Sequence, residues 1–416
     1  MNRLLLLILF LLIGADVRAQ WTMLPLDSVV DGPNTWSHRI TVEGTYLYNS
    51  NSIYNELPAS LLVGEDLDRD LRQRTSDALV AKERAVLGHE LTGRITWTGA
   101  RGDSGRARVR PIVSFAHQEY TGALITPDLY DLVFFGNARF EGGTANLAPS
   151  GYEQVRYQTL GGGVADTRSR SFVRLDLVLG QSYAAADIRW ADLYTATDGR
   201  LLRSSIAGTY HSSDTAGNEW GRNNGMGAAL TGRWEARIRA AGRPTYVSLS
   251  VEDLGFLTWN DRAVQLQKDT IIRFEGLAVE NILDLDQLIL GEDQLLDTFG
   301  IAFDAGSFTT VLPFRVGAEI RSHIDDRWYV GLAAQYQHLP YYIPQVTASV
   351  ARRSGERLLW GGSLSYGGYG GLLVGLGGRY RFSEHFTLEA SLPQVIGLTL
   401  GRSRGVGALL SAQISF

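Results

Sequence analysis

Met226-Gly227-Ala228-Ala229-Leu230-Thr231-Gly232-Arg233-Trp234-Glu235-Ala236-Arg237-Ile238-Arg239 is the stretch on which the fold turns. Its even positions are apolar or glycine throughout, while Thr231, Arg233, Glu235, Arg237 and Arg239 occupy the odd ones. A two-residue period places the two sets on opposite faces of a strand, whereas a helix would scatter them around its axis. One face suits lipid and the other suits water. An arginine turned toward lipid near the bilayer midplane costs about 2–4 kcal/mol in a barrel, so these arginines are predicted to point inward.

The same period recurs on both sides of this run. Ile40, Val42, Gly44, Tyr46 and Tyr48 alternate with Thr41, Glu43 and Thr45; Leu91, Gly93, Ile95 and Trp97 alternate with Glu90, Thr92, Arg94 and Thr96. Val173, Leu175, Leu177 and Leu179 enclose Arg174 and Asp176, and Val109, Val113 and Phe115 enclose Arg110 and Ser114. Further alternating segments follow to the C-terminus. The expected fold class is all-β, a single antiparallel transmembrane β-barrel of about 14 strands (12 to 16), with short helical segments in its long connections. Short polar turns, as at His323 to Arg327, alternate with long excursions at Asn49–Lys82, Thr121–Gly151 and Leu257–Ser307. Helical character is predicted within Glu65–Glu83 and Ile282–Phe299, as a plug in the lumen or as helices over the rim.

The two ends point to the same compartment. Met1-Asn2-Arg3, the apolar run Leu4–Ile13 and the small residues before Gln20 form a signal peptide. The apolar run is about half of what a membrane-spanning helix requires. The expected organisation is a signal peptide over 1–19, cleaved after Ala19, and one outer-membrane β-barrel over 20–416. The segment Val406–Phe416 alternates and stops on an aromatic, resembling the closing strand that barrel-insertion machinery reads during biogenesis.

Composition excludes several alternatives. The 416 residues are 44% hydrophobic and 20% charged, which looks soluble only because lipid-facing and lumen-facing residues average out along each strand. The absence of cysteine rules out a lipid-anchored lipoprotein and a disulfide-stapled domain. A net charge of −5 supports no nucleic-acid partner. Glycine is abundant at 47 residues against 11 prolines, as close strand packing favours.

No catalytic, cofactor-binding or metal-binding constellation emerges. The seven histidines are scattered singly. His117 and Ser114 lie three apart on one strand and so face opposite ways. His211-Ser212-Ser213-Asp214 is explained by turn preference, and Asp66, Asp68 and Asp70 lack the glycine and terminal glutamate of a calcium loop. The chain is therefore read as not an enzyme and without a cofactor. The candidate lumen-lining set is Arg108, Arg110, Arg174, Asp176, Arg233, Glu235, Arg237, Arg315, Glu319 and Arg379, with Glu43, Glu90, Arg94 and Arg156 on the same polar parity. Mixed charges of this kind either brace the wall as ion pairs or screen solutes along a path.

Asp128–Asn137, Gly142–Leu147 and Val251–Trp259 resemble segments of an uncharacterised family of Bacteroidota outer-membrane β-barrel proteins, a domain of unknown function. That family is similar in general plan to fatty-acid-transporter-like barrels. The resemblance implies a barrel and carries no catalytic residue. Two functions are open: a passive channel or transporter for small or hydrophobic solutes, or a non-catalytic scaffold or partner barrel in surface-protein secretion or outer-membrane assembly. The partners expected are outer-membrane lipid, the insertion machinery and secretion-system components.

Overall fold

The computed structural model describes residues 38–64, 67–82, 84–100, 109–166, 169–197, 201–214, 221–240, 242–268, 303–398 and 403–416. The signal peptide over 1–19, Arg108, Asp66 and the segment Ile282–Phe299 lie outside them.

Fourteen strands make the wall. In chain order they are β1 (Arg39–Ser50), β2 (Ala85–Thr98), β3 (Val109–Ile125), β4 (Ser150–Asp166), β5 (Phe172–Thr195), β6 (Gly225–Ala240) and β7 (Arg243–Trp259). They continue as β8 (Arg315–His323), β9 (Trp328–Gln337), β10 (Ile343–Ser354), β11 (Leu358–Gly368), β12 (Gly371–Arg381), β13 (Phe386–Leu392) and β14 (Gly405–Ser415). Each pairs antiparallel with its neighbours, and β1 pairs with β14 from Arg39↔Ser415 to Asn49↔Gly405. The sheet therefore has no free edge around its circumference.

The alternation seen in the sequence becomes an inside-out distribution of polarity. On β5, Leu175 is 69% exposed and Leu177 45%, while the intervening Arg174 and Asp176 are 1% and 3% exposed. Outward Leu332, Leu364, Leu376 and Leu249 continue the apolar surface around the wall. A monomer in water does not expose so much contiguous apolar surface; a barrel in lipid must. Trp97, Trp328, Trp360, Tyr380 and Phe416 lie toward the end where connections are short, as amphipathic rings favour headgroup depth.

The other end carries the long connections. Among the described residues three α-helices stand there: α1 (Glu56–Val63), α2 (Arg69–Val80) and α3 (Pro127–Phe135). Asp68 caps α2, and Thr126 with Pro127 caps α3. Ile53, Leu57, Leu71, Leu79, Ala85 and Tyr130 form their core, with Leu87 and Ile125 packed against it. Ala85, Leu87 and Ile125 belong to the outward parity of β2 and β3, so the helices seat on the outside of the rim rather than plugging the lumen. Beyond the wall, β5 continues upward and pairs with Leu202–Ser212, which pairs in turn with Val264–Lys268. His211 and Ser212, expected in a turn, are thus strand residues, and Asp214 lies 3.5 Å from Arg262.

Candidate functional site: the lumen

A bulge in β7 organises the inner face. Leu230 pairs with Leu254 and Gly232 with Val251, so Glu252 and Asp253 together oppose the single residue Thr231. Asp253 has φ 51, a left-handed conformation that aspartate tolerates better than most residues. Both carboxylates consequently enter the lumen, where an unbroken strand would have sent one outward. Asp253 accepts a bond from Tyr157 Oη at 3.0 Å, and its own N–H donates to Thr231 Oγ1 at 3.2 Å. Thr231 Oγ1 in turn lies 3.1 Å from Asp176 Oδ2, and Asp176 accepts from Arg174 Nε at 2.6 Å. Arg174 finds room because it lies over Gly161, where a Cβ would collide with it.

Arg94 on β2 donates to Glu252 on β7 at 2.6 Å, and Arg315 on β8 donates to Glu90 on β2 at 2.8 Å. These pairs are chords. Five strand steps separate β2 from β7, and in a round fourteen-strand wall those Cα atoms would stand roughly 25 Å apart, about twice the reach of an Arg–Glu pair. The wall is therefore pinched, with β2 drawn toward β7 and β8. Nearer the short-turn end, Arg233 donates to Ser248 and Glu319 at 2.9 Å each, and Arg321 bridges Glu235 and Glu319. Removing either partner of such a buried pair strands a charge, which makes the network a strong determinant of shape whatever its net stability.

The pinch leaves a second lobe against β9–β14 and β1. Its inner face is mostly neutral: Gln335, Gln337, Gln345, Thr347, Ser349, Ser363, Ser365 and Gln413, with Arg379 and Glu389 paired across β12 and β13 at 2.8 Å. A cavity of about 100 Å³ lies here, bounded by Glu90 and Arg315 on the pinched side and by the glutamines on the other. Its long-loop side is covered by Tyr369. Gly367, Gly368 and Gly371, with φ 115, 62 and 72, make the tight β11–β12 turn that throws this tyrosine inward. The ring rests on Gly88 and reaches Gly122, direct cross-strand partners on β2 and β3, and its hydroxyl donates to Pro340 O at 2.7 Å. Tyr342 meets it edge-on at 5.4 Å.

Of the lumen-lining set read from sequence, Arg174, Asp176, Arg233, Glu235, Arg315 and Glu319 converge in the pinched lobe. Arg110 is buried on the inner face of β3, and Arg237 is exposed at the short-turn mouth with its guanidinium 6.0 Å from the Tyr246 ring. Arg156 departs from the expectation. It faces outward beside Glu119, 2.8 Å away, because Val155 and Tyr157 take the inner positions and pack into the lumenal cluster with Tyr120 and Trp259. The glutamines of β9 and β10, the bulge carboxylates and Tyr369 were missed. Gln335 and Gln337 share the inward parity of β9, a signal present in the sequence but hidden by their lack of charge. Among the described residues no group of three or more His, Asp or Glu side chains is placed to hold a metal ion.

A family model described as "Family of unknown function (DUF5723)" matches residues 123–388, well over half of the chain. The chain belongs to that family. No curated protein matches this DUF5723 chain in sequence. Among solved structures it is similar to the Pseudomonas putida toluene transporter TodX, at 11% identity over 92% of this chain and 90% of that one, with a TM-score of 0.42. The Ralstonia pickettii toluene transporter TbuX gives 10% identity over 93% of this chain and 92% of that one, with a TM-score of 0.40. The translocator domain of autotransporter NalP from Neisseria meningitidis gives 9%, 94%, 92% and 0.36. Likenesses this distant leave solute and mechanism to the geometry of the lumen.

Proposed function

We propose that this chain is an outer-membrane channel that passes small solutes passively along the neutral lobe of its lumen, exported by a signal peptide cleaved after Ala19 and performing no catalysis. The observation that carries this reading is the cavity between the ion-paired pinch and the Gln/Ser/Thr wall of β9 and β10, covered by Tyr369. Charged groups on the pinched side are neutralised by one another, so the lobe offers little net field to select ions. Its lining combines the polar groups of Gln335, Gln345 and Thr347 with the apolar surfaces of Leu47, Leu339 and Leu373, which suits small solutes that carry both polar and apolar parts.

Reconstitution of the full-length protein in planar bilayers tests it: discrete conductance steps are expected, and their absence together with failed solute uptake in liposomes would overturn it. A second reading, a scaffold barrel serving secretion or assembly in the outer membrane, draws support from the lobe filled by side chains and from helices seated outside the rim. Co-purification with secretion components, without conductance, would favour it.

A further inference from the structure

One sector of the wall breaks its own pattern. His117, Glu119 and Thr121 on β3 and Gln154, Arg156 and Gln158 on β4 share the outward parity of Phe115 and Leu160, which are exposed to lipid. On the far wall the outward positions at mid-height are Leu332, Leu364 and Leu376. His117 opposes Gly93 and Thr121 opposes His89 across β2 and β3. At about 3.3 Å per residue and a tilt of about 40°, the steps from Trp97 to Gly93 and to His89 carry the patch roughly 10–20 Å from that ring toward the long-loop end, inside the ~25 Å apolar band of such a barrel. Arg156 gives Glu119 only its Nε, at 2.8 Å. Among the described residues its two terminal nitrogens and the second oxygen of Glu119 bond nothing, and the two side chains are 30% and 14% exposed. Lipid chains neither donate nor accept, so polar groups at this depth call for a polar partner.

We propose that this face is a contact between two copies of the chain, related by a two-fold axis along the membrane normal that passes between β3 and β4. The bilayer holds both copies upright, and a two-fold in that direction pairs them through the same surface. Such a rotation sets β3 of one copy against β4 of the other. Glu119 and Arg156 are direct cross-strand partners, as are His117 with Gln158 and Thr121 with Gln154. Glu119 therefore meets the partner's Arg156, and the groups left idle in each copy complete charge-assisted bonds between copies. His117 and Thr121 meet the partner's Gln158 and the partner's Gln154, again donor to acceptor. Toward the short-turn end, exposed Val113, Phe115, Leu160 and Val164 supply the apolar part of the contact. An anionic lipid headgroup fits worse, because it would meet Glu119 together with Arg156.

The cysteine-free chain makes the test direct. Full-length Gln158→Cys and Leu332→Cys proteins are reconstituted at low density in lipid vesicles and treated with a short bifunctional thiol reagent. Gln158→Cys is expected to give a product of twice the monomer mass, and Leu332→Cys none. Charge reversal then reads the pairing. Glu119→Arg and Arg156→Glu, each added to Gln158→Cys, should lose that product at least tenfold when reconstituted alone, because like charges face one another. An equal mixture of the two should regain it, since the opposite charges then meet across the axis. Monomer alone from Gln158→Cys, equal product from both cysteines, a product of three copies, or one containing another protein would overturn the contact. So would a mixture no better cross-linked than its components when both variants keep heat-modifiable gel migration; should they fail to insert, the two cysteine variants decide by themselves.

Discussion

Tyr369, in the β11–β12 turn, and Gly88, on β2, are fitted to each other: the ring occupies the space a Cβ at position 88 would need. Gly88→Ala should therefore displace the ring from its seat. Single-channel conductance is expected to rise in that variant, and to stay at the wild-type level in Gly93→Ala, where a Cβ meets nothing. Equal conductance in both would mean that Tyr369 does not restrict the path.

The chord from Arg94 to Glu252 predicts a non-additive stability series. Glu252→Gln strands Arg94 in a site where both side chains are at least nine-tenths buried, at an expected cost of about 3–5 kcal/mol. The double variant Arg94→Met with Glu252→Leu should recover most of that loss. Urea unfolding of the barrel in lipid vesicles measures the series, and a double variant as unstable as the sum of the singles would show that the pinch does not depend on this pair.

The bulge makes position 253 sensitive to side-chain shape. Asp253→Asn keeps a residue that tolerates positive φ, whereas Asp253→Val adds backbone strain of about 1–3 kcal/mol to the loss of the bonds that the Asp253 carboxylate accepts from Tyr157 and Thr231. The unfolding midpoint should fall in the order wild type, Asn, Val. A reversal of the last two would indicate that the strand straightens.

Because the chain contains no cysteine, single substitutions map its faces without background. Leu175→Cys and Leu332→Cys should resist a charged, water-borne thiol reagent in intact vesicles, while Thr347→Cys and Ser349→Cys, which line the cavity, should react. Protection of the last two would show that the neutral lobe is dry.

In the β8–β9 turn, backbone N–H groups of Arg327 and Trp328 donate to Asp325 at 2.7 Å each and hold its carboxyl below the usual aspartate range. A lowered folded-state value stabilises the fold above the ordinary pKa of 3.8 and loses that contribution as pH falls through the lower one. The gap in unfolding midpoint between wild type and Asp325→Ala should thus be full above about pH 5 and close at lower pH. A gap independent of pH would assign the effect to the turn's shape alone.

The faces of the wall were legible in the sequence because lipid penalises the wrong parity; Arg233 and Glu235 could hardly face outward. Partners were not. Parity says that Arg94 points inward, but nothing in its neighbourhood indicates Glu252, some 158 residues away. Arg156 misled for the converse reason: on β4 the large apolar side chains Val155 and Tyr157 fill the lumen, so local polarity inverts. The bulge at Asp253 breaks the period itself. The cavity's glutamines carried no charge to mark them, and Tyr369 sits in a turn where periodicity has nothing to report.

The pairing of β1 with β14 sets an order on assembly. Arg39 and Ser415, joined across the seam, are 376 residues apart in the chain. Every hairpin between them can form from near neighbours, but the seam cannot close until its two most distant strands meet. Until then the growing sheet carries two unpaired edges, and the inward arginines have no enclosed interior in which to find their carboxylates. The final contact in chain separation is thus the one that converts a curved sheet into a vessel.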